Sequence, residues 1–210
     1  MTQHLFRTEG LWFMNFIQYK DMEIPTGKVS FIVGESGCGK STLLRLFNNA
    51  LSPSAGKITY NSKELTQYDS LTLRREVALV SQDSWLFEGR VRNSFEETFR
   101  IRKEPIPDEA YIQEICETCG VDFSLEKDSA TLSGGERHRV YIAMFLALKP
   151  KVLMLDEPTA ALDEKNTFGV IERIIGFCRI HEIDLIIVSH DRTLMETFSE
   201  HTIELVKGGQ

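Results

Sequence analysis

The sequence predicts a single α/β domain, and three observations lead there. Short apolar runs alternate with stretches of helical periodicity. One such run, Val29 to Val33, enters a glycine-rich turn that passes directly into a helical pattern. No internal repeat, low-complexity segment or linker rich in Pro, Gly or Ser interrupts the 210 residues. One domain is therefore expected over residues 1–210.

The elements follow in chain order. Val29 to Val33 reads as a buried strand. Beyond the turn, Leu43, Leu44, Leu46, Phe47, Ala50 and Leu51 recur at helical spacing, which predicts a helix from Ser41 to Leu51. Val77 to Val80 is a second strand. The stretch at about residues 85–135 lacks strand signals and is expected to be a helical insertion. Within it, Asp108 to Cys119 is helical, with Pro107 as its start signal. Gly135 to Leu148 is a helix stopped before Pro150. Val152 to Leu155 is a strand, Glu164 to Arg179 a helix, Leu185 to Val188 a core strand and Thr202 to Val206 an edge strand.

Composition narrows the function classes. A formal net charge of -7 argues against a general nucleic-acid binder. The longest apolar run, Val140 to Leu148, spans nine residues, whereas a membrane span needs about 20. The N-terminal ten residues carry no basic stretch followed by an apolar one, so no signal peptide is expected. Of the four cysteines, Cys116 and Cys119 form C-x-x-C, while Cys178 and His181 form C-x-x-H. These spacings match no compact zinc module, and helix-core cysteines are the better reading.

Three segments carry chemistry. Gly34-Glu35-Ser36-Gly37-Cys38-Gly39-Lys40-Ser41, with Thr42 behind it, fits G-x-x-x-x-G-K-[ST] between a strand and a helix. Its glycines let backbone N–H groups turn toward phosphate oxygens, and the helix N-terminus adds partial positive charge. Lys40 is placed to reach the β- and γ-phosphates of ATP, and Ser41 to hold Mg²⁺. Cys38 sits beside Lys40 at that helix end, which predicts a reactive thiol blocked by ATP. Next, Val152 to Leu155 ends in Asp156 and Glu157: one acid suits Mg²⁺, the other suits a general base for the attacking water. Finally, Ser133, Gly134 and Gly135 precede a helix, so a hydroxyl and backbone N–H groups converge on an anion.

Leu132-Ser133-Gly134-Gly135-Glu136, lying between the other two segments, resembles the signature of ABC ATPases. The resemblance covers about residues 5 to 206. It implies a P-loop NTPase fold with a RecA-like core sheet, an N-terminal antiparallel β subdomain and a small helical subdomain. It also implies that the signature binds the γ-phosphate held by a second copy, in a head-to-tail homodimer formed on ATP binding. Further landmarks are carried over one by one. Gln82 resembles the Q-loop glutamine, which contacts Mg²⁺ and the water. Asp163, in Ala161-Leu162-Asp163, resembles the D-loop. His190 resembles the switch histidine. Phe13 is favoured over Trp12 and Phe16 as the ring that stacks on adenine. Four departures stand out: Ala160 where the D-loop often has Ser, Glu136 where the signature usually has Gln, and His138 and Met144 where Gln and then Arg often follow. Lys40, Asp156, Glu157 and His190 are all present, so hydrolysis is expected.

Lys40 and Ser133 lie 93 positions apart, too close for the long coiled coil of chromosome-organising relatives. A single short domain points to a transporter subunit on the cytoplasmic face of the membrane, working with an integral membrane permease. The run Trp85-Leu86-Phe87-Glu88-Gly89-Arg90-Val91-Arg92-Asn93 resembles the permease-facing segment of exporter-type domains. A soluble ATP-driven switch on a non-transport partner would share these motifs; a neighbouring gene for a multi-span membrane protein separates the two.

Overall fold

The computed structural model describes residues 4–159 and 164–206. Ala160 to Asp163, the D-loop segment, lie outside the described residues.

The chain opens with β1 (His4–Phe13), β2 (Ile17–Gln18) and β3 (Glu23–Pro25), then β4 (Val29–Gly34) and the first helix, α1 (Lys40–Phe47). It continues through β5 (Ala55–Tyr60), β6 (Lys63–Glu64), α2 (Ser70–Glu76) and β7 (Val77–Val80). Two helices follow, α3 (Val91–Arg102) and α4 (Glu109–Thr118), then α5 (Gly134–Ala147) and β8 (Val152–Asp156). The last elements are α6 (Glu164–Ile180), β9 (Asp184–Val188), α7 (Arg192–Phe198) and β10 (His201–Leu205).

These strands make two sheets. The first is antiparallel, with β1 pairing β2, β3 and β5, and β5 pairing β6. The second runs β10-β4-β9-β8-β7, every neighbouring pair parallel. Parallel neighbours cannot be joined by tight turns, so helices must return the chain across the sheet faces. Both faces are thereby covered, which is why these strands read as unbroken apolar runs. Alternation sorts the side chains. Phe31, Ala78, Val80, Leu153, Leu155, Leu185 and Ile187 join one cluster with residues of α3 to α6. Ile32, Val77, Val152, Met154, Ile186 and Val188 join the other, with α1 and the antiparallel sheet.

The nine-residue apolar run is the buried part of α5, where Val140, Ile142, Ala143, Met144, Leu146 and Ala147 are all buried. No described helix is long and apolar enough to cross a membrane. Cys116, Cys119 and Cys178 are buried in the first cluster. Burial pushes the Cys116 and Cys178 thiols up to about 12, holding them as neutral core groups. Among the described residues no group of three or more His, Cys, Asp or Glu is placed to hold a metal ion.

Helix α1 ends four residues before the predicted Leu51. Asn48 caps it, and Asn49 takes the left-handed conformation (φ 56°) that stops helices and that Asn tolerates. The structure also has the short helices α2 and α7, which the apolar pattern does not reveal. Each starts from an aspartate cap: Asp69 accepts from the Thr72 N–H, and Asp191 accepts from the N–H groups of Thr193 and Leu194.

Candidate nucleotide site

The parallel register brings the candidate residues to one edge. Val80 lies beside Leu155, Asp156 beside Val188, and Val188 beside Ile32. Residues just past these positions therefore emerge together: Gly34 onward from β4, Glu157 from β8, His190 from β9 and Gln82 from β7. Such a carboxyl edge is where open α/β sheets bind ligands.

The glycine loop is shaped by positions that only glycine suits. Gly39 sits at φ 97°, and a Cβ there would stand 2.7 Å from the Tyr19 hydroxyl oxygen. That hydroxyl donates to the Gly39 carbonyl at 2.9 Å and also contacts Thr42. Gly34 sits at φ 150°, where a Cβ would come within 2.3 Å of the Leu205 carbonyl oxygen. Glu35, Ser36 and Gly37 are exposed at the crest, whereas Lys40 is buried.

Lys40 is fully engaged. Its ammonium donates to the carbonyls of Gly34 (2.9 Å) and Glu35 (3.1 Å) and lies 3.2 Å from His190 Nε2. The same Nε2 lies 3.0 Å from Glu157 Oε1, and the His190 N–H donates to Glu157 Oε2 at 3.3 Å. One ring nitrogen thus lies between the loop lysine and the β8 carboxylate, free to accept from the first when neutral or to donate to the second when protonated. Glu157 itself has φ 52°, a left-handed conformation that a glutamate adopts only when its surroundings hold it; its N–H donates to the Val188 carbonyl at 3.0 Å.

The two carboxylates differ. Asp156 is 4% exposed and its Oδ1 has no hydrogen-bond partner. Burial raises its pKa, opposed by the Ser41 hydroxyl and then by Arg45 and Lys40. Burial likewise raises Glu157, opposed first by His190 and also by Lys40. A buried acid oxygen without a partner, with a hydroxyl beside it, is a hard-oxygen set of the kind that suits Mg²⁺. Gln82 is exposed just past β7 on this edge. A cavity of about 670 Å³ opens between Gly34–Glu35 and Ser189–Arg192.

Cys38 is buried where the sequence predicts a reactive thiol. The thiol is only 5% exposed, and its sulfur would be 2.8 Å from a Cβ on Gly34, so it packs under the loop. Iodoacetamide is expected to label it at least tenfold more slowly in the native protein than after denaturation, because the thiol must first be uncovered. Mass-spectrometric labelling rates check this; equal rates would place the thiol at the surface.

The aromatic candidates also separate. Phe13 is half-buried at the end of β1 and packs against the second cluster. Phe16 is 68% exposed at the tip of the β1–β2 turn. The adjacent Ile17 comes within 3.3 Å of a Cβ on Gly39, so this turn lies against the glycine loop.

Ser133 and Gly134 stand apart from this cluster. Both are exposed at the start of α5, and a Cβ on Gly134 would meet nothing within 4 Å. The Ser133 hydroxyl accepts from the Glu136 N–H at 3.3 Å, and Glu136 Oε2 accepts from the Ser133 N–H at 2.8 Å. These reciprocal bonds form a capping box that fixes the helix start. Among the described residues, no hydrogen bond or ion pair joins this segment to Lys40, Asp156, Glu157 or His190.

Sequence reasoning missed Tyr19, which supports the loop through a side chain 20 positions away, and the Leu205 carbonyl, which no side-chain pattern reveals.

Comparison with known proteins bears on this geometry. A family profile described as "ABC transporter" matches residues 17–160. The achromobactin transport ATP-binding protein CbrD of Dickeya dadantii (strain 3937) is 32% identical over 202 residues, covering 93% of this chain and 75% of that protein. The probable iron export ATP-binding protein FetA of Escherichia coli (strain K12) is 34% identical over 173 residues, covering 82% and 76%. Among solved structures, cbiO1 from Clostridium perfringens, described as part of the ABC transporter complex cbiONQ, superposes with a TM-score of 0.83. It is 28% identical, over 98% of this chain and 86% of that one.

Proposed function

This chain belongs to the ABC transporter family of ATP-binding domains, and from that membership we propose that two copies close head to tail over two ATP molecules to drive a separate membrane permease. Membership makes it an ATP-binding subunit and an ATPase. One observation carries the dimer: Lys40, Asp156, Glu157 and His190 gather at the sheet edge, while Ser133 to Gly135 present an open helix start elsewhere. In a single copy the Ser133 N–H is taken by Glu136, and the donors left exposed are the Ser133 hydroxyl and the Gly134 N–H. A second copy supplies the anion they suit.

In this reading the backbone from Gly34 to Gly39, including Glu35, Ser36, Gly37 and Cys38, cradles the phosphates, with Ser41 and Thr42 at the helix start. Lys40 exchanges the Gly34 and Glu35 carbonyls for β- and γ-phosphate oxygens. Ser41, Asp156 and Gln82 would hold Mg²⁺, which when bound neutralises phosphate charge. Glu157 takes a proton from the attacking water; burial raises its pKa, which strengthens it as a base. His190, released from Lys40, positions Glu157 and faces the γ-phosphate. Ser133, Gly134 and Gly135 of the partner subunit close the far side and exclude water, and Asp163 contacts that interface.

Phe16 replaces Phe13 as the adenine-stacking ring, because it is the exposed aromatic on the turn beside the loop. Phe16→Ala is expected to raise KM for ATP about tenfold, in keeping with base–aromatic stacking, with little change in kcat. Phe13→Ala raising KM more than Phe16→Ala would return the role to Phe13.

The permease docks on Trp85 to Asn93, at the cytoplasmic face of the membrane. Trp85 is 60% exposed and meets Phe87 edge-on at 4.4 Å, a small aromatic surface beside Gln82. The exporter-type character of this run and the likeness to a protein named for iron export support an exporter-like complex.

Light scattering of the Glu157→Gln variant tests the composite site. Addition of MgATP is expected to convert monomer to dimer; monomer at saturating MgATP would remove the proposal.

A further inference from the structure

We propose that Lys127 is a positioning residue for the ATPase reaction: it neutralises the Glu136 carboxylate so that the start of α5 can accept a phosphate held by a second copy. The inference rests on the head-to-tail reading above.

The geometry gives each oxygen of Glu136 one task. Oε2 accepts from the Ser133 N–H at 2.8 Å, completing the capping box. Oε1 lies 2.7 Å from Lys127 Nζ. Lys127 comes from the loop before the helix and is held on several sides. Its ammonium sits 4.5 Å from the centre of the Phe123 ring. Its N–H donates to the Ser124 carbonyl, and its own carbonyl accepts from the Val91 N–H, each at 3.0 Å. The ion pair is thus presented by an anchored backbone.

A carboxylate in the first turn of a helix is ordinarily favourable. Here, however, the same turn is the one proposed to receive a highly charged phosphate. The Glu136 carboxylate lies within hydrogen-bond distance of the Ser133 amide, at the mouth of that anion site. It is anionic at any working pH, since Lys127 and the Ser133 N–H hold its pKa down at about 2. A neutral glutamine could accept the same Ser133 bond without carrying charge. With glutamate in place, an adjacent cation becomes a requirement of the site.

The requirement is felt at one stage of the cycle. In the separated chain the pair is partly exposed, with side-chain exposures of 32% and 23%, and water screens it. Closure of a second copy removes that water and brings phosphate charge alongside, so an unpaired carboxylate then opposes the closed state. Loss of Lys127 should therefore weaken ATP-driven closure while leaving the fold of the free chain largely intact.

The experiment measures, by light scattering, the MgATP concentration that half-dimerises the full chain, all variants carrying Glu157→Gln. Lys127→Met keeps an unbranched side chain and removes the charge, together with the ammonium's contact with Phe123; it is expected to raise the midpoint about tenfold. Lys127→Arg should stay near the parent. Adding Glu136→Gln to Lys127→Met should bring the midpoint back to within about threefold of the parent, because the cap survives and the charge is gone. A double variant as impaired as Lys127→Met would assign Lys127 to bracing the loop and overturn the proposal. An unmoved midpoint in Lys127→Met would overturn it too, leaving the head-to-tail reading standing. A parent that stays monomeric would sink that reading and this inference together.

Discussion

Glu157→Gln should lower steady-state ATP turnover by roughly 10²- to 10⁴-fold, the contribution typical of a general base. Glutamine matches glutamate in size, and its carbonyl can still accept from the His190 N–H that now bonds Glu157 Oε2. It also tolerates the φ of 52° about as well as glutamate does, so the β8 end should keep its shape. What disappears is the capacity to take a proton from water. ATP affinity should change little, because the proposed phosphate cradle is the loop between β4 and α1. Phosphate release measured alongside nucleotide titration separates the two effects. Turnover within twofold of the parent would mean that another group takes the proton.

Lys40→Ala should reduce ATP affinity by about 100-fold or more, since it removes charge-assisted bonds to the phosphates that no neighbour can replace. The empty protein makes the substitution tolerable. Lys40 there bridges only two loop carbonyls and His190, and the loop crest around Glu35 is open to water that can satisfy what the ammonium leaves. Thermal stability should therefore fall far less than nucleotide affinity. The pair of measurements is a calorimetric ATP titration and a thermal melt. Near-parental affinity with an intact melt would show that the backbone cradle alone holds the triphosphate. Combined with Glu157→Gln, Lys40→Ala should also abolish the ATP-induced dimer.

The candidate site was legible where it is written locally. The residues from Gly34 to Thr42 are contiguous, and Asp156 closes an apolar strand with Glu157 directly after it, so spacing alone groups them. The core strands were legible because burial on both faces leaves no polar positions to blur the pattern, as in Val152 to Leu155. The long strand β1 was not, because its ten residues mix inward Leu5, Phe6 and Leu11 with charged Arg7 and Glu9. Its partner β5 lies more than 40 positions downstream, beyond the reach of any local pattern. The supports of the site were illegible for the same reason. Tyr19 meets the loop from 20 residues away, and His190 meets Lys40 across 150. Lys127 lies only nine positions from Glu136, yet nothing distinguishes it from any surface lysine until α5 is given its start. The proposal of Phe16 in place of Phe13 rests on exposure at a hairpin tip, which composition does not encode.

The contact between Gly34 and the Leu205 carbonyl makes the phosphate loop a neighbour of the last strand through main-chain atoms alone. A contact of that kind is blind to side-chain identity at position 205 but sensitive to path length. The Leu205 side chain is held separately by the core, at 7% exposure, whereas one inserted or deleted residue in β10 would shift the carbonyl by about 3.3 Å and strip the loop of its backstop. For anyone engineering the chain, the tail of β10 is a poor place for joints.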